Sequence, residues 1–399
     1  MLNEETLAFI RAHRQDDVRR LALRPAPTGT DLHTALQQIE GWQAALQKLP
    51  AWAAREGIFF PPRLAMEQCS SELTAFYKQN IVRQQLATES SSTPHTLIDL
   101  TGGFGIDFCF LSPLFDRAIY MERQPELCRI AAHNFSLLGL TKAEILNADS
   151  TQDPENWPEA TCCFIDPARR DTAGRKTVAI EDCTPDLSAL QDVIRRKASF
   201  CLIKLSPMLD IGLALRTLSH IAEVHVVSVQ GECKELLLVM TRNRPESTAF
   251  HCTNIGTSHP DFHFTHKEEE LATCTYTDTP LRYLYEPNAS LMKCGGFRSL
   301  SAHFGMQKLH PNSHLYTSDK LHTDFPGRAF TIHTCSGFGK KELKNILCDL
   351  TQANLTVRNF PETVAGLRKR LKLKDGGDTY LFATTLANGQ HVLLRCGKP

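Results

Sequence analysis

Residues 97–107 read LIDLTGGFGID, an apolar run that stops on an acid and breaks into three glycines before a helical stretch. Glycines placed after a strand let the backbone turn sharply and approach a ligand with no Cβ in the way. The same alternation then recurs along the chain. Short apolar runs at TLIDL, AIYM, AEILN, CCFID, FCLIKL, VHVVSV and ELLLVM are separated, over the first five, mostly by helical stretches. Strands alternating with helices of about 10–15 residues predict a parallel sheet with helices on both faces. The last two runs, Glu223 to Val229 and Lys234 to Met240, flank a short turn around Gln230, Gly231 and Glu232 and are expected to pair as a hairpin. The expected fold is α/β and Rossmann-like, with a seven-stranded, mostly parallel sheet closed by that hairpin.

Acids stand at the ends of three consecutive strands. Asp99 ends the first, Glu122 the second, 23 residues further on, and Asp149 follows the third in ILNADS. Glu122 is placed to accept hydrogen bonds from two ribose hydroxyls, and Asp149 to receive an exocyclic adenine amine, so a nucleoside-containing cofactor is expected. A dinucleotide fingerprint wants G-x-G-x-x-G, with its phosphates at the helix N-terminus. Here Gly103-Phe-Gly105 is followed by Phe108 where the third glycine belongs. Asp99 also puts a carboxylate where an ammonium is welcome and a pyrophosphate is not. S-adenosylmethionine fits these residues better than NAD.

Around this core the chain changes character three times. Residues 1–94 are rich in Ala, Leu, Gln, Glu and Arg with helical apolar spacing, and predict a helical N-terminal domain. The core is expected over 95–244 and an irregular or two-stranded extension over 245–278. A small α+β unit is expected over 279–324 and a second over 325–399. Lys plus Arg equals Asp plus Glu at 44 each, but from Leu281 to Pro399 there are 17 cations against 8 anions. An acidic body with a basic tail predicts an anionic partner for the tail. The 14 cysteines include no Cys-x-x-Cys and several lie in apolar runs (Cys162, Cys163, Cys201), so they read as reduced core residues. The charged start and the lack of a long apolar stretch predict a soluble, cytoplasmic protein. The 16 histidines are scattered, and HPDFHFTH (His259, His263, His266) lacks paired cysteines or an acid triad, so no metal is expected.

The order Asp99-x-x-x-Gly103-x-Gly105, Glu122, Asp149 and Asp166-Pro167, followed by the hairpin, resembles a class I S-adenosylmethionine-dependent methyltransferase over roughly residues 95–242. The runs EQCSSELTAFYKQ, DLTGGFGID, FIDPARRD, LSPMLD and QGECKELLL are similar to bacterial methyltransferases that carry a ferredoxin-like piece and a THUMP-like domain at the C-terminus. That resemblance extends over nearly the whole chain. It implies that Asp99 and the Gly103/Gly105 loop hold the methionine end of S-adenosylmethionine, Glu122 the ribose and Asp149 the adenine. Thr101 stands where many class I enzymes have glycine.

CCFIDPARRD ends a strand at Asp166 and Pro167, on the same sheet edge as the glycine loop. Methyltransferases of amino nitrogens carry a D/N-P-P-aromatic run here, whose acid accepts the amine hydrogens. This chain keeps Asp166 and Pro167 but has Ala168 and Arg169 in place of the second proline and the aromatic. Arg169 then either stacks on a base or clamps a phosphate, or pairs with Asp171, Glu181 or Asp182. Lys204 and Ser206 are candidates to line the same cleft. In the tail, Lys340 and Lys341 precede LRKRLKLKDGG, which places Arg368, Lys369, Arg370, Lys372 and Lys374 within seven positions. Such a cluster either neutralises RNA phosphates or forms the charged face of a surface helix. The resemblance favours RNA, since THUMP modules bind structured RNA. The expected activity is methylation of tRNA or rRNA on a base nitrogen. The alternatives are a methyltransferase for a small molecule or protein, and a non-catalytic RNA-binding protein.

Overall fold

The computed structural model describes residues 2–89, 94–169, 180 and 183–399, and for Arg169 only the backbone. The chain divides into two units, Met1–Ala222 with Leu237–Pro245, and Glu223–Leu236 with Glu246–Pro399.

The first unit opens with three long helices, α1 (Glu4–His13), α2 (Leu32–Lys48) and α3 (Glu72–Thr88). Each begins where a side chain satisfies an orphan amide: Asn3 accepts from Thr6 N, Asp31 from Thr34 N, and Ser71 forms a capping box with Thr74. Gly41 in α2 lets that helix approach Phe60 closely, since a Cβ there would stand 2.3 Å from the Phe60 Cβ. Ala45, Leu49, Trp52, Phe60, Met66 and Ala75 form one buried cluster with Phe104 of the glycine loop, Ile106 just after it, and Leu127 and Ile130. The N-terminal helices therefore share a core with the glycine loop.

Five parallel strands come next, β1 (Thr96–Asp99), β2 (Arg117–Glu122), β3 (Ala143–Asn147), β4 (Ala160–Ile165) and β5 (Ala198–Leu205). They pair in the order β5-β4-β1-β2-β3. The helices α4 (Ile106–Leu111), α5 (Pro125–Leu138), α6 (Leu187–Lys197) and α7 (Ile211–Thr217) lie between or after these strands. The order reverses between β1 and β4, and ligands bind at the carboxyl ends of strands beside such a reversal. Cys162, Cys163 and Cys201 are buried, unbridged thiols of β4 and β5.

The expected hairpin is present as β6 (Ile221–Val229) and β7 (Glu232–Thr241). Gln230 and Gly231 between them both have positive φ, 52° and 82°, as a two-residue type I′ turn requires. β7 borders β5. In the second unit β6 continues to β8 (Ala249–Ile255), which pairs parallel to it, and β8 to the antiparallel β9 (Phe262–Thr265). The sheet thus has nine strands rather than the seven expected. The difference has a physical reason: β8 pairs with what would otherwise be the exposed edge of β6.

The rest of the second unit is a seven-stranded sheet. Its strands are β10 (Tyr283–Pro287), β11 (Gln307–Lys308), β12 (Tyr316–Ser318), β13 (Gly327–Ser336), β14 (Asn354–Arg358), β15 (Tyr380–Thr385) and β16 (His391–Gly397). They lie in the order β11-β12-β10-β13-β16-β15-β14. β10 is hydrogen-bonded to β12 on one side and to β13 on the other, so the sheet runs unbroken across residues 324–328. The helices α8 (Ala289–Cys294), α9 (Phe297–Phe304), α10 (Lys340–Ile346) and α11 (Val364–Leu371) accompany it. Among the described residues no helix is long and apolar enough to cross a membrane.

Candidate active site

β1 ends on Asp99, whose side chain is buried and whose Oδ1 accepts a hydrogen bond from Thr101 N at 2.9 Å. The loop after it is tied to the neighbouring strand ends. Gly103 N donates to Glu122 Oε2 at 2.9 Å, and Gln124 N donates to Glu122 Oε1 at 2.8 Å. The Tyr120 hydroxyl donates to the Gly103 carbonyl. Asp166 N donates to Thr101 Oγ1 at 2.6 Å, so the threonine that stands in place of glycine links the loop to the end of β4.

The glycines have separate duties. Gly103 has φ +58°, a backbone conformation that side chains disfavour. A Cβ on Gly102 would lie 2.3 Å from the Tyr120 ring, and one on Gly105 2.8 Å from Phe135. Those two glycines let the loop sit down on β2 and α5.

A cleft of about 300 Å³ opens over this floor, lined by Thr101, Gly103, Glu122, Asp149 and Asp166. Pro62, Leu64 and Cys69 of the N-terminal helical segment line it too. Asp149 closes one end, with Oδ1 accepting from Thr151 N at 2.9 Å and from Thr151 Oγ1 at 2.7 Å, bonds that lower its pKa. Of the sequence candidates, Asp99, Gly105, Pro167, Lys204 and Ser206 lie outside this lining. Asp99 supports the loop through Thr101, Gly105 packs on Phe135, and Pro167 is buried. The Arg169 side chain, with the proposed partners Asp171, Glu181 and Asp182, falls outside the described residues; its backbone pairs with Cys183.

Two buried cations have partners that the sequence does not disclose. Lys204 Nζ at the end of β5 lies 2.5 Å from Asp166 Oδ2. Lys78 of α3, wholly buried, lies 3.1 Å from Asp107 Oδ1, while the Ser70 hydroxyl donates to Asp107 Oδ2 at 2.7 Å and accepts from Lys78 Nζ at 3.0 Å. A signal for Lys78 existed: the buried positions of α3 are Thr74, Ala75, Lys78, Ile81 and Val82, so the lysine occupies the apolar stripe.

The resulting field is acidic. Burial pushes the Asp99 carboxyl well above the usual range, and Asp107, Asp166 and Glu122 push the same way, against the Thr101 amide. Burial also raises Asp166, with Lys204 opposing it. Such a floor welcomes a ligand bearing a cationic group and repels a pyrophosphate.

In the tail, two of the basic candidates are engaged internally. Arg368 Nη2 lies 2.7 Å from Asp375 Oδ1 and its Nη1 donates to the Ala353 and Lys374 carbonyls; Arg370 pairs with Glu362 and lies over the Phe338 ring. Lys340, Lys341, Lys369, Lys372 and Lys374 are exposed.

The reversed strand order, the glycine loop at its switch point and the acids at the strand ends are those of the class I methyltransferase fold. A model of a ferredoxin-like domain matches residues 283–326 and a model of a THUMP-like domain matches residues 327–398. The crystal structure of a Porphyromonas gingivalis W83 protein assigned as a methyltransferase is 35% identical, covers 100% of both chains and superposes with a TM-score of 0.84. The chain belongs to this bacterial methyltransferase family, with its C-terminal ferredoxin-like piece and THUMP-like domain. An rRNA methylase from Streptococcus thermophilus, 16% identical, covers 41% of this chain and 95% of its own at a TM-score of 0.31. No curated protein matches the chain.

Proposed function

We propose that the protein is an S-adenosylmethionine-dependent methyltransferase that acts on a base nitrogen of RNA. The observation that carries this reading is the convergence of Thr101, Gly103, Glu122, Asp149 and Asp166 on one acidic-floored cleft. About 300 Å³ lies at the lower end of the range for ligand clefts. S-adenosylmethionine, when bound, supplies a methyl group on a sulfonium. Glu122, holding Gly103 and Gln124 amides with one lone pair of each oxygen, keeps others for ribose hydroxyls. Asp149 likewise keeps Oδ2 for an adenine amine. Asp99 acts from below by fixing the loop and by supplying negative potential toward the methionine ammonium. The segment around Pro62 and Cys69 roofs the cofactor, and Asp166 with Pro167 orients the amine to be methylated. A base is not obligatory in such a displacement, where positioning supplies most of the rate.

Calorimetric titration with S-adenosylhomocysteine tests the cofactor. Micromolar binding is expected, at least about 100-fold weaker in Glu122→Ala, which removes charge-assisted interactions, and weaker too in Asp99→Ala, which removes the carboxyl that fixes the loop at Thr101. NADH should not bind. Equal affinity in the folded variants would refute the site.

The exposed Lys340, Lys341, Lys369, Lys372 and Lys374 are assigned to grip RNA in the cytoplasm, with tRNA or rRNA as substrate. Reversing these charges should weaken RNA binding and flatten its salt dependence by about one unit of slope for each phosphate no longer neutralised. Unchanged affinity and slope would leave the tail without that role. The internal pairing of Arg368 and Arg370 favours a second reading, a methyltransferase for a small molecule or protein. Methyl incorporation into such molecules and into no RNA pool would select it.

A further inference from the structure

The second unit holds a polar cluster far along the chain from the glycine loop's residues and unused by the proposed chemistry. His225 of β6, His251 of β8 and His263 of β9 are cross-strand partners in register, so three imidazoles stand in a row on one face of the sheet. Glu223 lies two residues before His225 and therefore on that face as well. The His225 and His251 rings stack at 4.3 Å between centroids, and the His251 and His263 rings meet at 4.8 Å.

Each nitrogen's partner is informative. His225 Nε2 is 2.8 Å from Glu223 Oε2, and His251 Nδ1 is 2.9 Å from His263 Nδ1. The remaining ring nitrogen of His251, Nε2, is buried with no hydrogen-bond partner. A buried polar atom without a partner is costly unless a ligand completes it. Ligand-capable atoms of Glu223, His225 and His251 lie within 4.8 Å of one another. Tetrahedral zinc, with bonds of about 2.0–2.1 Å, needs ligand atoms about 3.3 Å apart, so side-chain rotations of roughly an ångström suffice.

We infer that Glu223, His225 and His251 bind a divalent transition ion of the zinc type, with His263 holding the second nitrogen of His251. The set is two imidazoles and a carboxylate, which leaves a fourth position for water. Coordination through His225 Nε2 requires the neutral ring to carry its proton on Nδ1 instead. The ion would fasten β8 and β9, the strands beyond the expected seven, to β6. A metal site was not expected from sequence because its ligands come from separate strands. Of the histidines in HPDFHFTH only His263 belongs to the cluster.

Full-length protein, stripped with a chelator, would be titrated with zinc, and with cobalt(II) as a spectroscopic probe. One equivalent is expected to bind at micromolar affinity or better, to give visible bands of tetrahedral cobalt and to raise the melting temperature. Glu223→Gln and His251→Ala should each weaken binding at least tenfold, whereas His266→Ala should not. Should one variant fail to fold, the other carries the comparison. Absence of stoichiometric binding, equal affinity in the folded variants, or a thiolate-to-cobalt band insensitive to them would overturn the site; the last would move the ion to cysteine.

Discussion

Asp107→Ala is expected to cost about 3–5 kcal/mol of folding stability, enough to unfold many domains at physiological temperature. The cause is Lys78, which is wholly buried with its Nζ 3.1 Å from Asp107 Oδ1. Removing the carboxylate takes away an ion partner of the ammonium and an acceptor of the Ser70 hydroxyl. Urea denaturation of the variant would read the loss directly. The double variant Lys78→Met/Asp107→Leu should recover most of it, because an apolar pair of similar volume avoids desolvating two ions. A single-variant loss below about 1 kcal/mol would show that the pair contributes little.

Asp166→Asn is expected to slow methyl transfer by two to three orders of magnitude, roughly the cost of losing one aligned polar group at a reacting centre. Binding of S-adenosylhomocysteine should change much less, since Asp166 meets the cofactor loop through its backbone amide on Thr101. The pH profile adds an independent readout. Burial raises the Asp166 pKa above its ordinary 3.8, so the carboxyl takes up a proton, and activity falls, at a higher pH than an exposed aspartate would. Lys204 opposes that shift. Lys204→Met should therefore move the acid limb further up, whereas a purely structural lysine would lower activity at all pH values alike. An acid limb that stays put in Lys204→Met would sever the link between Asp166 ionisation and turnover.

Much of this architecture is legible in the sequence because the parallel sheet converts linear order into geometry. Every parallel strand ends on the same edge, so Asp99, Glu122 and Asp166, each at or just past the end of an apolar run, and Asp149, shortly after β3, were bound to gather there. The contributions from elsewhere were hidden. Lys78 reads as one more helical cation until α3 is packed, and Lys204 as a solvated strand end until β4 and β5 are paired. Which glycine touches the cleft depends on where Tyr120 and Phe135 sit. β8 and β9 carry so much Thr, His and aromatic character that the sequence left open an irregular or a two-stranded extension, and the hydrogen bonds of β8 to β6 and of β9 to β8 make them strands. In LRKRLKLKDGG the count of cations was plain, but Arg368 and Arg370 are taken by acids outside the seven positions that hold the five cations, Asp375 and Glu362.

The unbroken seven-stranded sheet of the tail bears on how this protein is inherited. The ferredoxin-like match ends at residue 326 and the THUMP-like match begins at 327, yet β10 of the first is hydrogen-bonded along its length to β13 of the second. Glu286 of β10, nearly without exposure, is held by Arg328 and by Arg358, both from the second piece. Cutting between them would bare two raw strand edges and strand a buried carboxylate. Recombination that separated the two pieces would therefore cost folding stability on both sides, so they are expected to be inherited as one block.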